Sequence, residues 1–132
     1  MLYLDTAALV KLVRREVASD ALVDWIGDHS DELLVSSTLA EVELPRALRR
    51  TEPALLAAVP ALLNRIAVYE IDDLVRATAA AYDDPSLRSL DAIHLATADA
   101  VLGDDLTAFV SYDRRLLAAA TALGLSTTSP GA

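Results

Sequence analysis

The chain has 132 residues, no cysteine, a hydrophobic fraction of 54% and a net charge of −9. That length fits one domain with a single core, and the absence of cysteine excludes disulfides and thiolate metal sites. No apolar run nears the roughly 20 residues that span a bilayer, and the acidic balance excludes broad electrostatic binding to nucleic acid. The expectation is a soluble cytoplasmic protein with no membrane association.

The apolar "MLYL" predicts a first strand, ending at Asp5 and Thr6. "TAALVKLVRRE" has helical spacing through Leu9, Leu12 and Val13. "SDALVDWIGDH" predicts a second helix with Ser19 or Asp20 as its cap. "ELLVS" is a second strand of the buried type. "TLAEVELPRALRR" predicts a helix bent at Pro45, and Thr38 and Glu41 have the spacing of a capping box. "PALLAAVPALLNR" starts a helix at Pro53, breaks at Pro60 and reads as core, with a dimer or partner surface as the alternative. "IAVYEI" is a third strand, and "DDLVRATAAAYD" a helix capped by Asp72. "LRSLDAIHLATADAVLG" predicts one long helix ending in a left-handed cap at Gly103. "LTAFVSY" is a fourth strand, "RRLLAAATALG" a last helix and "LSTTS" a short fifth strand. Residues 1–129 are expected to form one domain and 130–132 a loose tail. Strands alternating with helices predict an α/β fold, with a parallel sheet of four to five strands between two helical layers.

In such sheets ligands bind beyond the carboxyl ends of the strands. Asp5 ends the first strand and Asp113 follows the fourth. Asp91 sits among Leu90, Ala92 and Ile93 near a helix start, where an unpaired acid is costly. Glu41 or Glu43 lies in the first turns of the helix after the second strand. Asp5 and Asp113 each have a second reading as a helix cap. Acids from four segments gathered on one rim would raise each other's pKa, and a divalent cation removes that conflict. Oxygen ligands suit Mg²⁺ or Mn²⁺, and carboxylate-held Mg²⁺ serves phosphodiester hydrolysis. Glu43 is preferred over Glu41, with Arg46 and Arg50 on its helix face toward substrate phosphates. An ion pair between Glu43 and Arg46 is the plainer reading. His94 reads as a packing histidine held by a backbone carbonyl, or as a partner for Asp91 one turn earlier. Asp99 reads as a solvated helix residue.

"YLDTAALVKLVRRE", "VSSTLAEVELPRALRR", "LRSLDAIHLATA" and "FVSYDRRLLAAATALGL" resemble the successive motifs of PIN-domain ribonucleases, most of all the VapC-type toxins of toxin–antitoxin pairs. The resemblance covers nearly the whole chain, and the segment around Asp91 is its most specific part. It implies a PIN-like three-layer α/β/α sandwich. It implies that Asp5, Glu43, Asp91 and Asp113 form the acidic quartet, with Asp5 and Asp91 on Mg²⁺ or Mn²⁺ and the other two on it directly or through water. Thr6 matches the hydroxyl residue that supports the metal site, and Glu41 is a further candidate for support. Arg46, Arg50 and Arg114 are the candidate RNA contacts. The implied partners are an RNA substrate (tRNA or ribosomal RNA), a small cognate antitoxin and a second copy of the chain, in a homodimer and a hetero-oligomer. The alternative is a catalytically weak module of the same fold that acts through protein contacts. A phosphotransferase with Asp5 as nucleophile is disfavoured, because Ala7 stands where such sites carry a second acid.

Overall fold

The computed structural model describes residues 1–132. Its centre is a parallel sheet of five strands: β1 (Leu2–Leu4), β2 (Leu34–Ser37), β3 (Ala67–Tyr69), β4 (Ala108–Val110) and β5 (Thr127–Thr128), in the order β3-β2-β1-β4-β5. β1 is central, paired with β2 through Leu2–Leu34 and Tyr3–Val35 and with β4 through Leu2–Ala108 and Leu4–Val110. Seven α-helices cover the sheet: α1 (Thr6–Val13), α2 (Ser19–Asp28), α3 (Ala40–Thr51), α4 (Val59–Leu63), α5 (Asp73–Ala81), α6 (Ser89–Ala96) and α7 (Arg114–Ala122).

Strand alternation divides the core in two. Leu2, Leu4, Leu34 and Val110 face a layer built from α1 to α4, where Leu9, Leu22, Leu44 and Leu48 are fully buried. Tyr3, Val35 and Phe109 face the opposite layer, with Leu95, Leu102 and Leu116. No helix is long and apolar enough to cross a membrane.

The three-layer α/β/α arrangement is the predicted one, and several local expectations need correction. Ser19 does not cap α2. It lies inside the first turn, where its Oγ accepts from the Glu16 N–H and donates to the Lys11 carbonyl, tying the turn between α1 and α2. Pro60 does not break a helix but opens α4, where its missing N–H costs nothing, after a 3₁₀ stretch over Pro53–Ala58. The long helix stops being α at Ala96. A π-helical stretch, Thr97–Leu102, carries it to Gly103, and the Thr97 hydroxyl donates back to the Ile93 carbonyl at 2.8 Å. The expected capping box of Thr38 and Glu41 does not form. α3 starts at Ala40 behind Leu39, and the Ser37 hydroxyl accepts the Leu39 N–H instead. The tail is not loose. Pro130 accepts from the Tyr112 hydroxyl, and Gly131, at φ 81°, lies so close to α2 that an added Cβ would meet the Ala21 Cβ at 2.7 Å.

Candidate metal centre at the switch point

From β1 the chain winds outward to β2 and β3, then returns to the other side of β1 to lay down β4 and β5. The gap past the ends of β1 and β4 is therefore the topological switch point, the usual ligand position in an open α/β sheet. Asp5 follows β1 directly. Its side chain caps α1, Oδ1 accepting the Ala8 N–H at 3.0 Å, while Oδ2 accepts the Ser111 hydroxyl at 2.5 Å. The cap reading is thus correct, and it also fixes the carboxylate rigidly. Asp5 is 4% exposed, and burial raises its pKa above the usual carboxylate value despite those two donors.

Asp113 follows β4 and caps α7, accepting N–H bonds from Arg115 at 2.8 Å and Leu116 at 3.2 Å. Asp91 comes from the first turn of α6 and receives no hydrogen bond. Burial raises its pKa first, and the charges of Asp113, Asp5 and Glu43 add to the rise. That mutual repulsion places all four acids in one electrostatic neighbourhood.

Glu43 behaves differently. Burial alone would raise it, but donors from His94 at 2.8 Å and Thr6 at 2.6 Å bring its pKa below the ordinary value. The plainer ion pair with Arg46 is absent. Glu41, two residues earlier, points into solvent and touches none of these groups.

Asp91 and Asp113 line an open cleft of about 320 Å³ whose other charged walls are Arg88, Arg114 and Arg115. A second groove of about 320 Å³ runs past Thr6 between α1 and α3, bordered by Lys11, Arg14, Glu16 and Arg50. Lys11, Arg14, Arg15 and Arg76 are ion-paired, whereas Arg46, Arg50, Arg88, Arg114 and Arg115 have no acidic partner. Arg46 is exposed on α3 and lines neither cavity. Arg88, Arg114 and Arg115 line the first cleft with Asp91 and Asp113, and Arg50 lines the second groove.

Sequence reasoning missed Ser111, Arg88 and Arg115, and gave His94 the wrong partners. Ser111 had a signal, a hydroxyl closing the apolar run "AFVS" two residues before Asp113. His94 makes neither expected contact: its ring nitrogens meet Tyr3 on one side and Glu43 and Thr6 on the other. Asp99 is not simply solvated, because it accepts the Tyr82 hydroxyl at 2.9 Å.

As the side chains stand, no three of these donors close directly round one point. The set still fits a hard divalent cation. All its donors are oxygens, burial first and neighbouring acids second push Asp5 and Asp91 toward the neutral form, and Mg²⁺ usually keeps several of its waters.

An acidic cleft at the switch point of a five-stranded parallel sheet, flanked by unpaired arginines, defines the class: a three-layer α/β/α protein with its candidate site at the ends of β1 and β4. The PIN domain family model matches residues 2–122. The chain belongs to that family, and to its VapC-type branch. It is 54% identical over 132 residues to Ribonuclease VapC35 of Mycobacterium tuberculosis H37Rv, covering 99% of this chain and 98% of the relative. It is also 40% identical over 135 residues to Ribonuclease VapC47 of strain CDC 1551 (100% and 98% covered), and 39% over 129 residues to Ribonuclease VapC46 of H37Rv (98% and 97%).

Proposed function

We propose that this protein is a metal-dependent endoribonuclease, the toxin of a toxin–antitoxin pair, hydrolysing phosphodiester bonds in a few selected RNAs. The observation that carries the reading is the convergence of Asp5, Glu43, Asp91 and Asp113, felt as repulsion at Asp91, beside arginines that no protein acid neutralises. The names of its VapC relatives support the same activity.

Asp5 and Asp91 would hold Mg²⁺, or Mn²⁺ in its place, with Glu43 and Asp113 reaching it directly or through water. The chemistry such a cation would supply, when bound, is activation of water and charge stabilisation for an in-line displacement. The chain's own groups do the rest. The Ala8 N–H and Ser111 hydroxyl aim Asp5, Thr6 orients Glu43, and Arg88, Arg114 and Arg115 draw the RNA backbone into the cleft. Arg50 extends that path along the second groove, and Arg46 stands on the same helix as an outlying contact. With a net charge of −9, the surface repels RNA except where these arginines stand, which favours selective substrates such as a tRNA or ribosomal RNA. The same charge suits a basic antitoxin segment, and the toxin is expected to act in the cytoplasm and to pair as a homodimer.

The test is cleavage of total RNA by purified protein in Mg²⁺, with fragment ends sequenced. Cuts at few positions, absent in EDTA and absent with Asp91→Asn, are expected. Cuts that persist in either control would sink the reading.

A further inference from the structure

Glu43 is bound from one side only. Its Oε1 accepts from Thr6 Oγ1 at 2.6 Å and from His94 Nε2 at 2.8 Å, while no protein group donates to Oε2. No buried side-chain oxygen or nitrogen lacks a partner, so the unpartnered Oε2 is open to solvent. The donor His94 is itself 2% exposed. Its Nδ1 meets the Tyr3 hydroxyl at 2.7 Å, and Tyr3 is fully buried in the layer on the α6–α7 side of the sheet. Tyr3 is clamped in turn. Its ring stacks on Phe109 with centroids 5.4 Å apart and planes 3° apart, and meets the His94 ring edge-on at 5.8 Å.

A buried imidazole needs partners for both nitrogens. An ionised carboxylate only accepts, so the nitrogen facing Glu43 must carry a proton. Tyr3 then fixes the other nitrogen, and with it the plane of the ring. This is the arrangement in which an outer residue sets the direction of a ligand it does not replace.

We propose that His94 is a positioning residue for the cation site. It holds Glu43 by Oε1 and so presents Oε2 to a divalent cation, and Tyr3 braces it from within the core. The proposal rests on the metal-site reading above and adds to it a residue that touches neither cation nor substrate.

Asparagine and glutamine at position 94 separate this role from mere packing. The Gln amide reaches as far as the imidazole Nε2, and the Asn amide reaches only as far as Nδ1. Mn²⁺ binding is measured by calorimetry at fixed pH, alongside thermal unfolding in EDTA. His94→Asn is expected to weaken Mn²⁺ binding by about 10–100-fold and to lower kcat more than it raises KM, while His94→Gln stays within about threefold of wild type. Equal Mn²⁺ affinity in Asn and Gln variants would overturn the proposal and leave the metal site standing. A wild-type chain that binds no Mn²⁺ would overturn both. If neither variant folds, long-range ¹H–¹⁵N spectra of histidine-labelled wild type decide. A protonated Nε2 is required, and a bare one overturns the proposal.

Discussion

Glu43 and Asp91 are both half-buried acids on the same rim, yet their pKa values move in opposite directions. Burial pushes both up. Glu43 overcomes it with two donors, Thr6 and His94, whereas Asp91 has no donor and faces Asp113. For this pair, where depth is similar, the hydrogen bonds and the neighbouring acid set the direction of the shift. One half of the centre is organised in advance by the protein. The other half carries a carboxylate that burial and the neighbouring Asp113 penalise.

The largest effect should come from removing the most buried charge. Asp5→Asn keeps an oxygen for the Ala8 N–H, and Asn caps helices as well as Asp. Cleavage of labelled RNA in Mg²⁺ should fall by more than about 100-fold, beyond the loss expected from a supporting residue. Melting in EDTA should hold or rise, because the penalised charge is gone. A variant that cuts at the wild-type rate would remove Asp5 from the site.

A smaller effect tests the opposite shifts directly. Asp91 has a folded pKa above its ordinary 3.8, so its contribution to stability is full below that value and is lost as pH rises through the folded one. Asp91→Asn should therefore gain in melting temperature on the wild type as pH rises, in EDTA. Glu43 has a folded pKa below its ordinary 4.5, so its contribution is present above that value and is lost as pH falls through the lowered one. Glu43→Gln should lose ground on the wild type as pH rises. Mg²⁺ at 100 times its Kd should add about 2.7 kcal/mol to the wild type and close the gap to Asp91→Asn. Parallel pH curves for the two variants would break the comparison.

The smallest effect concerns the arginines. In the Asp91→Asn background, Arg88→Gln and Arg115→Gln should each flatten the dependence of log affinity for single-stranded RNA on log salt by about 0.7, the value of one phosphate contact. Arg46→Gln, outside both cavities, should change it less. Filter binding across a salt series gives the slopes, and equal slopes in all variants would remove the arginines from the interface.

Much of this was legible in the sequence, for physical reasons. Asp5 and Asp113 stand out because a short, wholly apolar strand ends within three residues before each, and the chain must turn there. Asp91 stands out because an acid among Leu90, Ala92 and Ile93 has no cheap explanation. The choice between Glu41 and Glu43 depends on the phase of α3. That phase is set by where the helix starts, and the Ser37 hydroxyl moved the start two residues past Thr38. The partners of His94 and Ser111 were not legible, since they lie 51 and 106 positions away in the chain and meet only when the sheet closes. Pro60 was misjudged because the same ring that ends one helix is well placed to begin another.

Tyr3 sits between two leucines in a three-residue strand, and its ring rests on Phe109. The cleft and the hydrophobic interior therefore share a boundary one side chain thick. Genetic screens for loss of RNA cleavage should return substitutions at Phe109, a residue wholly inside the oily layer, among the changes at charged positions. In such a protein, the distinction between a mutation that damages folding and one that damages chemistry would depend on how far a tyrosine ring tilts.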